Sequence, residues 1–123
     1  MNLVDSSGWM EYFMNGPLAE RYAPFLSRTG EVMTPTIVLY EVYKKIKGEL
    51  DEEYALTAAA QIEKTTVIPM SNTIAYRAAD ISLKHKLAMA DSIVYATADL
   101  HGARLITSDR DFKSLKGVLY FES

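Results

Sequence analysis

The sequence predicts a three-layer α/β fold in which helices pack against a mostly parallel sheet of four to five strands. Short apolar segments alternate along the chain with longer stretches of helical periodicity. Strands that are separated by helices are typical of βα units, whose strands pair in parallel. With 123 residues, no Cys and no linker-like segment, the chain is expected to form one domain over 1–123 without disulfides.

Turn and capping signals divide the chain into these elements. Thr34 before Pro35 is a favourable N-cap followed by Pro at the first helical position. Asp51 is expected to cap an Ala-rich helix, and Gly102 is typical of the residue after a helix C-terminus. In order, the predicted elements are a strand at 2–5, a helix ended by residues 15–17, a helix at 18–28, a strand at 31–33, a helix ending at Gly48, a helix from 52 to about 64, a strand at 66–69, a helix capped by Ser71 or Asn72, a helix from about 90 to 101, a strand at 104–107 and a strand at 118–121.

Composition and charge leave several functional classes open. The net charge is −3, from 13 basic and 16 acidic side chains, which by itself disfavours a nucleic-acid-binding protein. Two bound divalent cations would change that charge to about +1, so the net charge does not decide the matter. The start of the chain resembles no signal peptide, and no stretch approaches the ~18 apolar residues that cross a bilayer. We therefore expect a cytoplasmic protein that does not enter the membrane.

Four acidic residues stand in apolar surroundings and need an explanation. Asp5 and Asp109 each follow an apolar strand. Glu41 lies among aliphatic residues of a helix, and Asp91 lies between two apolar segments. Buried carboxylates are normally paired, capping, protonated or bound to a cation, because burying an unpaired charge is costly. Capping explains the three aspartates as well as a functional role does, and Glu41 could pair with Lys45 one helical turn later.

The places of these residues in a parallel sheet favour a shared site. The carboxyl ends of parallel strands lie at one edge of the sheet, where Asp5 and Asp109 would meet. Glu41 and Asp91 can reach the same edge from their helices. Clustered carboxylates repel each other unless divalent cations hold them, and oxygen ligands without Cys favour Mg²⁺ or Mn²⁺ over zinc. Such a site suits phosphodiester hydrolysis, in which the metal activates water and stabilises the leaving oxygen.

The four acidic residues belong to four motifs that span nearly the whole chain. The motifs are Leu3-Val4-Asp5-Ser6-Ser7-Gly8-Trp9, Thr36-Ile37-Val38-Leu39-Tyr40-Glu41-Val42, Ala90-Asp91-Ser92-Ile93-Val94-Tyr95-Ala96-Thr97-Ala98 and Leu105-Ile106-Thr107-Ser108-Asp109-Arg110-Asp111-Phe112. Each motif is weak by itself, but with all four in this order the sequence resembles the PIN-domain family. Within that family it is similar to the VapC toxins of bacterial and archaeal toxin–antitoxin pairs.

The resemblance implies a PIN-like α/β/α fold and a Mg²⁺- or Mn²⁺-dependent endoribonuclease. Thr107 or Ser108 occupies the family's hydroxyl position, and Asp111 is a second candidate beside Asp109. Carried over by position, the family's catalytic metal ligands correspond to Asp5, Glu41, Asp91 and Asp109.

The resemblance also implies an RNA substrate, a homodimer and a cognate VapB-like antitoxin that inserts a segment into the cleft. Aromatic residues of the early helices are candidates for those contacts, with a core position as the alternative. Basic residues at 44–47, 84–86 and 110–113 are candidates for steering RNA phosphates, or are solvated helix faces. The early aromatic residues are Trp9, Tyr12, Phe13, Tyr22 and Phe25.

Two further interpretations stay open at this point. A housekeeping PIN-domain nuclease for RNA processing would have the same residues, and a short antitoxin gene directly upstream would distinguish the toxin. A non-catalytic binding module, with acids that act only as caps, would gain no stability from Mg²⁺ or Mn²⁺. An aspartyl nucleophile for phosphoryl transfer is disfavoured, because Asp5 is followed by Ser6 and Ser7 instead of a second Asp two residues later.

Overall fold

The sheet has five strands, all parallel, in the computed structural model, which describes all 123 residues. The order of the strands across the sheet is β3-β2-β1-β4-β5. This confirms the predicted fold class, and every strand pair is parallel. The strands are β1 (Asn2–Val4), β2 (Val32–Pro35), β3 (Thr66–Ile68), β4 (Arg104–Thr107) and β5 (Val118–Tyr120).

Helices provide the crossovers that parallel strands need, and they build the α/β/α architecture. Two short 3₁₀ helices, at Thr29–Glu31 and Arg110–Phe112, precede β2 and follow β4. None of the helices has the length and apolarity that crossing a bilayer requires. The α-helices are α1 (Ser6–Phe13), α2 (Ala19–Leu26), α3 (Thr36–Glu49), α4 (Glu52–Ile62), α5 (Asn72–His85) and α6 (Met89–Leu100).

Two of the predicted caps are confirmed. The carboxylate of Asp51 accepts a hydrogen bond of 2.9 Å from the backbone N–H of Tyr54 at the start of α4. The hydroxyl of Ser71 accepts one of 3.1 Å from the N–H of Ile74, so Ser71 caps α5 and Asn72 does not. Both caps satisfy N–H groups that have no partner within their own helix.

The predicted cap at Thr34 is wrong, because both Thr34 and Pro35 belong to β2. Pro35 pairs with Ile68 of β3, and the sheet register takes precedence over local capping. The hydroxyl of Thr34 lies 2.7 Å from the hydroxyl of Thr65. Since Thr65 donates its single hydroxyl hydrogen to the carbonyl of Ile62 at 2.6 Å, Thr34 is the donor to Thr65.

The centre of the sheet determines where the acidic residues meet. β1 and β4 are neighbours, with Val4 opposite Ile106, and both side chains are fully buried in the core. Because the two strands run in parallel in this register, the chain leaves them at the same edge. Asp5 follows β1 and Asp109 lies two residues after β4, so both reach the carboxyl edge of the sheet.

Candidate functional site

Asp5 is the first residue after β1, and the start of α1 holds its carboxylate in place. Its Oδ1 accepts hydrogen bonds from the N–H of Gly8 at 3.1 Å and the hydroxyl of Ser7 at 2.8 Å. Its Oδ2 accepts a hydrogen bond of 2.6 Å from the hydroxyl of Thr107. Asp5 is therefore the N-cap of α1, as one of the two interpretations expected. Of the roughly four lone pairs of a carboxylate, one on Oδ2 remains available to another ligand.

Burial raises the pKa of Asp5, which is only 5% exposed. The hydrogen bonds from Thr107, Ser7 and Gly8 favour the ionised form and lower this pKa, while the negative charge of Asp109 raises it. No Lys, Arg or His of the chain forms an ion pair with Asp5. The ionised form of Asp5 is thus held by hydrogen-bond donors alone.

Thr107, the last residue of β4, links Asp5 to Asp109. Its hydroxyl donates to Asp5 and accepts the backbone N–H of Asp109 at 2.9 Å. The Oδ1 atom of Asp109 in turn accepts the N–H of Asp111 at 2.9 Å, so that Asp109 caps the following 3₁₀ helix. Of the two hydroxyl groups expected near the site, Thr107 is therefore the one that connects the two strand-end aspartates.

Asp91 lies in the first turn of α6, and it does not cap that helix. The N-cap is Ala88, and no side chain bonds to the free N–H groups there. The carboxylate of Asp91 has no salt-bridge partner in the chain, and it is half-buried. The capping interpretation of Asp91 is therefore wrong. Its carboxylate lies instead near the negative charges of other acidic residues.

Asp91, Asp109 and Asp111 form a compact acidic group, in which one carboxylate oxygen of each residue lies within 4.8 Å of the others. Asp111, predicted only as a second candidate beside Asp109, belongs to this group together with Asp109. Burial raises the pKa of Asp91 to about 6, and nearby negative charges contribute to the shift. Those charges belong to Asp109, Asp111, Glu41 and Asp5.

Glu41 approaches the acidic group from α3. It is half-buried, and the ion pair with Lys45 that the spacing allowed is not formed, because Lys45 pairs with Glu49 at 3.7 Å. Glu41 and Ser108 line a cleft of about 840 Å³ between α1 and α3, here named the α1–α3 cleft. The three aspartates predicted for the site do not line this cleft. Glu41 thus lines the cleft, and its negative charge also acts on Asp91 of the acidic group.

The donor set of this region fits a hard divalent cation. All the candidate ligands are carboxylate oxygens, and none of them has a cationic partner in the chain. Mutually repelling carboxylates without such a partner are stabilised by an ion that takes several oxygen ligands, as Mg²⁺ and Mn²⁺ do. The residues concerned are Asp5, Glu41, Asp91, Asp109 and Asp111.

Tyr22 reaches the edge of the site in a way that the sequence did not reveal. Its side chain is fully buried, and its hydroxyl donates a hydrogen bond of 3.0 Å to the hydroxyl of Ser108. Gly8 makes room for the ring, because a Cβ atom on Gly8 would lie 2.5 Å from Cε1 of Tyr22. The two hydroxyl groups are 86 residues apart, so no local pattern could have predicted their contact.

The chain matches the family model described as PIN domain over residues 3–118. It is similar to a solved toxin–antitoxin complex from Klebsiella pneumoniae, with 26% identity, a TM-score of 0.84 and coverage of 100% of both chains. It is also similar to VapC20 of Mycobacterium tuberculosis, a Sarcin-Ricin loop cleaving toxin, with 19% identity, a TM-score of 0.80 and coverage of 96% of this chain and 97% of the other. DNA-bound VapBC from Salmonella typhimurium gives 19% identity, a TM-score of 0.76 and coverage of 98% of each chain. At such low identity, these last two similarities show the fold alone. A comparison with curated protein sequences finds no match.

Proposed function

The chain belongs to the PIN-domain family, and from that premise we propose that it is a divalent-metal-dependent endoribonuclease and the toxin of a toxin–antitoxin pair. The observation that carries this proposal is the meeting of Asp91, Asp109 and Asp111 beside Asp5 without any cation of the chain to neutralise them. Membership of the family supports a nuclease. The full-length similarity to the Klebsiella pneumoniae complex supports the toxin role.

In this proposal Asp5, Asp91 and Asp109 hold the cation, with Glu41 and Asp111 completing the site directly or through water. The remaining lone pair on Oδ2 of Asp5 limits that residue to one further bond. A cation bound there would supply positive charge for the phosphate and lower the pKa of a water molecule.

The protein's own contribution is to hold these carboxylates in place before the substrate arrives. Thr107 and Ser7 orient the two oxygens of Asp5. Thr107 also holds the backbone of Asp109, and the 3₁₀ helix orients the carboxylate of Asp109. Ligands that are fixed by second hydrogen bonds need little rearrangement on binding, which favours both affinity and rate.

The proposed antitoxin would have to block this edge of the sheet. The α1–α3 cleft, of about 840 Å³, has the size of an ordinary ligand site and could take an inserted peptide segment. For the proposed homodimer, Tyr76 and Leu83 lie two turns apart on α5 and are 76% and 82% exposed. Packing of this face of α5 against a second copy of the chain would remove both side chains from water, which favours association.

A nuclease assay with purified protein tests the proposal. With total RNA as substrate, Mn²⁺ or Mg²⁺ should support cleavage, and chelation with EDTA or the substitution Asp5→Asn should abolish it. Glu53→Gln also removes one negative charge, at an exposed position of α4 that lines neither the α1–α3 cleft nor the cavity beside α5 and α6, and should leave cleavage unchanged. Cleavage of RNA at the same rate in EDTA would contradict the metal mechanism, and preferential cleavage of DNA would contradict the RNA substrate.

A further inference from the structure

We infer that a cavity beside α6 holds single-stranded RNA on one side of the cleavage point, an inference that rests on the proposed ribonuclease function. The cavity has a volume of about 480 Å³ and lies between α5, α6 and the loop that leads into β5. It is named here the α5–α6 cavity. The residues that matter for the argument are Lys84, His85, Tyr95 and Lys116.

Two of the segments that form the α5–α6 cavity also carry residues of the acidic group. On α6, Tyr95 lies one helical turn after Asp91, which is about 5–6 Å along the helix axis. On the opposite wall, the chain runs from Asp111 through the 3₁₀ helix to Lys116 within five residues. A nucleic-acid strand with one phosphate at the acidic group can therefore continue directly into the cavity.

The charges of the α5–α6 cavity favour phosphate. Lys84 and Lys116 are exposed and form no ion pair, whereas Arg77 is paired with Asp99. The cavity is lined by three basic and two acidic residues, while the α1–α3 cleft is lined by two basic and three acidic residues. Of the two basic residues of the α1–α3 cleft, Lys45 is paired with Glu49, so that only Lys44 is without an ion pair. In a chain with a net charge of −3, the α5–α6 cavity, with two lysines without an ion pair and an excess of basic residues, is therefore the more favourable place for a polyanion.

Aromatic rings in the same cavity offer surfaces for bases. The ring of His85 lies 6.4 Å from that of Tyr95, measured between centroids, at an interplanar angle of 71°. The hydroxyl of Tyr95 donates a hydrogen bond of 2.6 Å to the carbonyl of Lys116, which fixes the loop and keeps the cavity formed. Rings that stack on bases recognise unpaired nucleotides, because the faces of paired bases are covered by their neighbours. The α5–α6 cavity therefore fits a single strand in preference to a duplex.

This inference can be tested by measuring RNA binding in variants that each lack one positive charge. The probe is a fluorescein-labelled single-stranded RNA of 20 nucleotides and mixed sequence, and fluorescence anisotropy gives the Kd from 50 to 300 mM KCl in EDTA. In this buffer the result does not depend on cleavage. We expect Lys84→Gln and Lys116→Gln each to weaken binding about 3- to 10-fold at low salt and to reduce the salt slope by about 0.7.

Two control variants make the result specific. Lys64→Gln removes the same charge immediately before Thr65 and β3, at the opposite edge of the sheet, and should leave the Kd unchanged. Lys44→Gln removes a charge of the α1–α3 cleft and should also have little effect. A loss of stability at the end of α5 would lower the Tm of Lys84→Gln, and a thermal melt separates that effect from weaker binding.

The outcomes distinguish this inference from the proposed function. If the wild-type protein cleaves RNA while Lys84→Gln and Lys116→Gln bind and cleave as well as it does, the inference is overturned and the function stands. Weaker binding by Lys44→Gln alone, an equal loss for Lys64→Gln, or no binding of the probe at all would overturn it too. If RNA binds through Lys84 and Lys116 but is not cleaved with Mn²⁺, the proposed nuclease fails and the RNA surface stands.

Discussion

The hydroxyl of Thr107 donates a hydrogen bond of 2.6 Å to Oδ2 of Asp5, between residues that are 102 positions apart in the sequence. The same hydroxyl oxygen accepts the backbone N–H of Asp109. One buried side chain thus ties together the carboxyl ends of β1 and β4, the two strands at the centre of the acidic edge. The geometry of the proposed metal site depends on it, although Thr107 itself carries no charge.

Replacement of Thr107 by Val, which has nearly the same shape, should remove this connection. We expect cleavage of RNA to fall at least 10-fold and stability to fall by about 1–3 kcal/mol, because Oδ2 of the buried Asp5 loses its donor and the part-buried N–H of Asp109 loses its acceptor. Thr107→Ser keeps the hydroxyl and should retain most of the activity. Initial cleavage rates and urea unfolding measure the two effects, and a Val variant as active as the wild type would show that the hydroxyl is not needed.

The raised pKa of Asp91 makes the stability of the metal-free protein depend on pH. The carboxyl of Asp91 has a pKa of about 6 in the folded chain, against 3.8 ordinarily, so the folded state binds its proton more tightly than the unfolded state does. Stability from this residue is therefore fully present below pH 4 and is lost as the pH rises towards 6. Above that pH, the ionised Asp91 destabilises the fold by about 1–2 kcal/mol, because solvent screens the charge of this half-buried carboxylate and reduces the effect of the full shift.

In EDTA, Asp91→Asn should accordingly be more stable than the wild type at pH 8, by about 1–2 kcal/mol. The difference should shrink as the pH falls through 6. Urea unfolding at pH 8, 6 and 5 measures it, with Asp80→Asn on the exposed face of α5 as the charge-matched control. A wild-type protein that is the more stable of the two at pH 8 would contradict the interpretation of the acidic group.

A divalent cation should reverse this destabilisation. At a concentration 100 times its Kd, Mn²⁺ is expected to stabilise the wild type by about 2.7 kcal/mol, because a ligand of the folded state alone shifts the unfolding equilibrium. The Tm should rise by several degrees, and EDTA should abolish the rise. Asp109→Asn should lose most of the effect and Asp80→Asn none. Equal stabilisation of all three proteins would indicate that Mn²⁺ binds elsewhere.

A substitution at Gly8 can test the packing that supports the site. A Cβ atom at this position would lie 2.5 Å from both Cε1 of Tyr22 and Cγ1 of Val4, and both of these side chains are fully buried. Gly8→Ala should therefore destabilise the protein by about 1–3 kcal/mol. Gly48→Ala is the matched control in α3, where no atom lies within 4 Å of the new methyl group. There Ala should stabilise by about 0.5–1 kcal/mol, since it favours the helix. Urea unfolding measures both changes in stability. A change of the same sign in the two variants would contradict this account.

The sequence predicted the central strands and their acidic ends because burial in a parallel sheet leaves a local pattern. The apolar segments of β1 and β4 are short and are followed at once by polar residues, so the places of Asp5 and Asp109 could be inferred. The cap at Thr34 was wrong because β2 continues through Pro35, which pairs with β3, and because the hydroxyl of Thr34 contacts Thr65, 31 residues away in the sequence. A pattern of neighbouring residues contains no information about such a contact.

The composition of the acidic group was predicted only in part, for a similar reason. Asp111 joins Asp91 and Asp109 because it lies in the 3₁₀ helix that follows Asp109. Its spacing from Asp109 in the sequence did not show whether Asp111 belongs to the site or is an ordinary solvent-exposed residue. The spacing of Glu41 and Lys45 allowed an ion pair, yet Lys45 pairs with Glu49. In an isolated helix, Glu four residues before Lys is the more favourable order, so helix geometry alone favours the pair of Glu41 with Lys45 that is not formed.

The contact between Tyr22 and Ser108 leads to the last prediction. The hydroxyl of Tyr22 holds that of Ser108 at the mouth of the α1–α3 cleft, one residue before Asp109, while its ring packs edge-on against Phe121 at 5.0 Å between centroids. Tyr22→Phe keeps the ring and removes only the hydroxyl. We therefore expect a loss of about 0.5–1.5 kcal/mol in stability and a several-fold fall in the kcat of RNA cleavage. Ser108→Ala should have a similar effect, and the double variant should be little worse than either single one, because both remove the same hydrogen bond. Fully additive losses of kcat in this double-mutant cycle would show that Tyr22 does not position the Ser108–Asp109 segment.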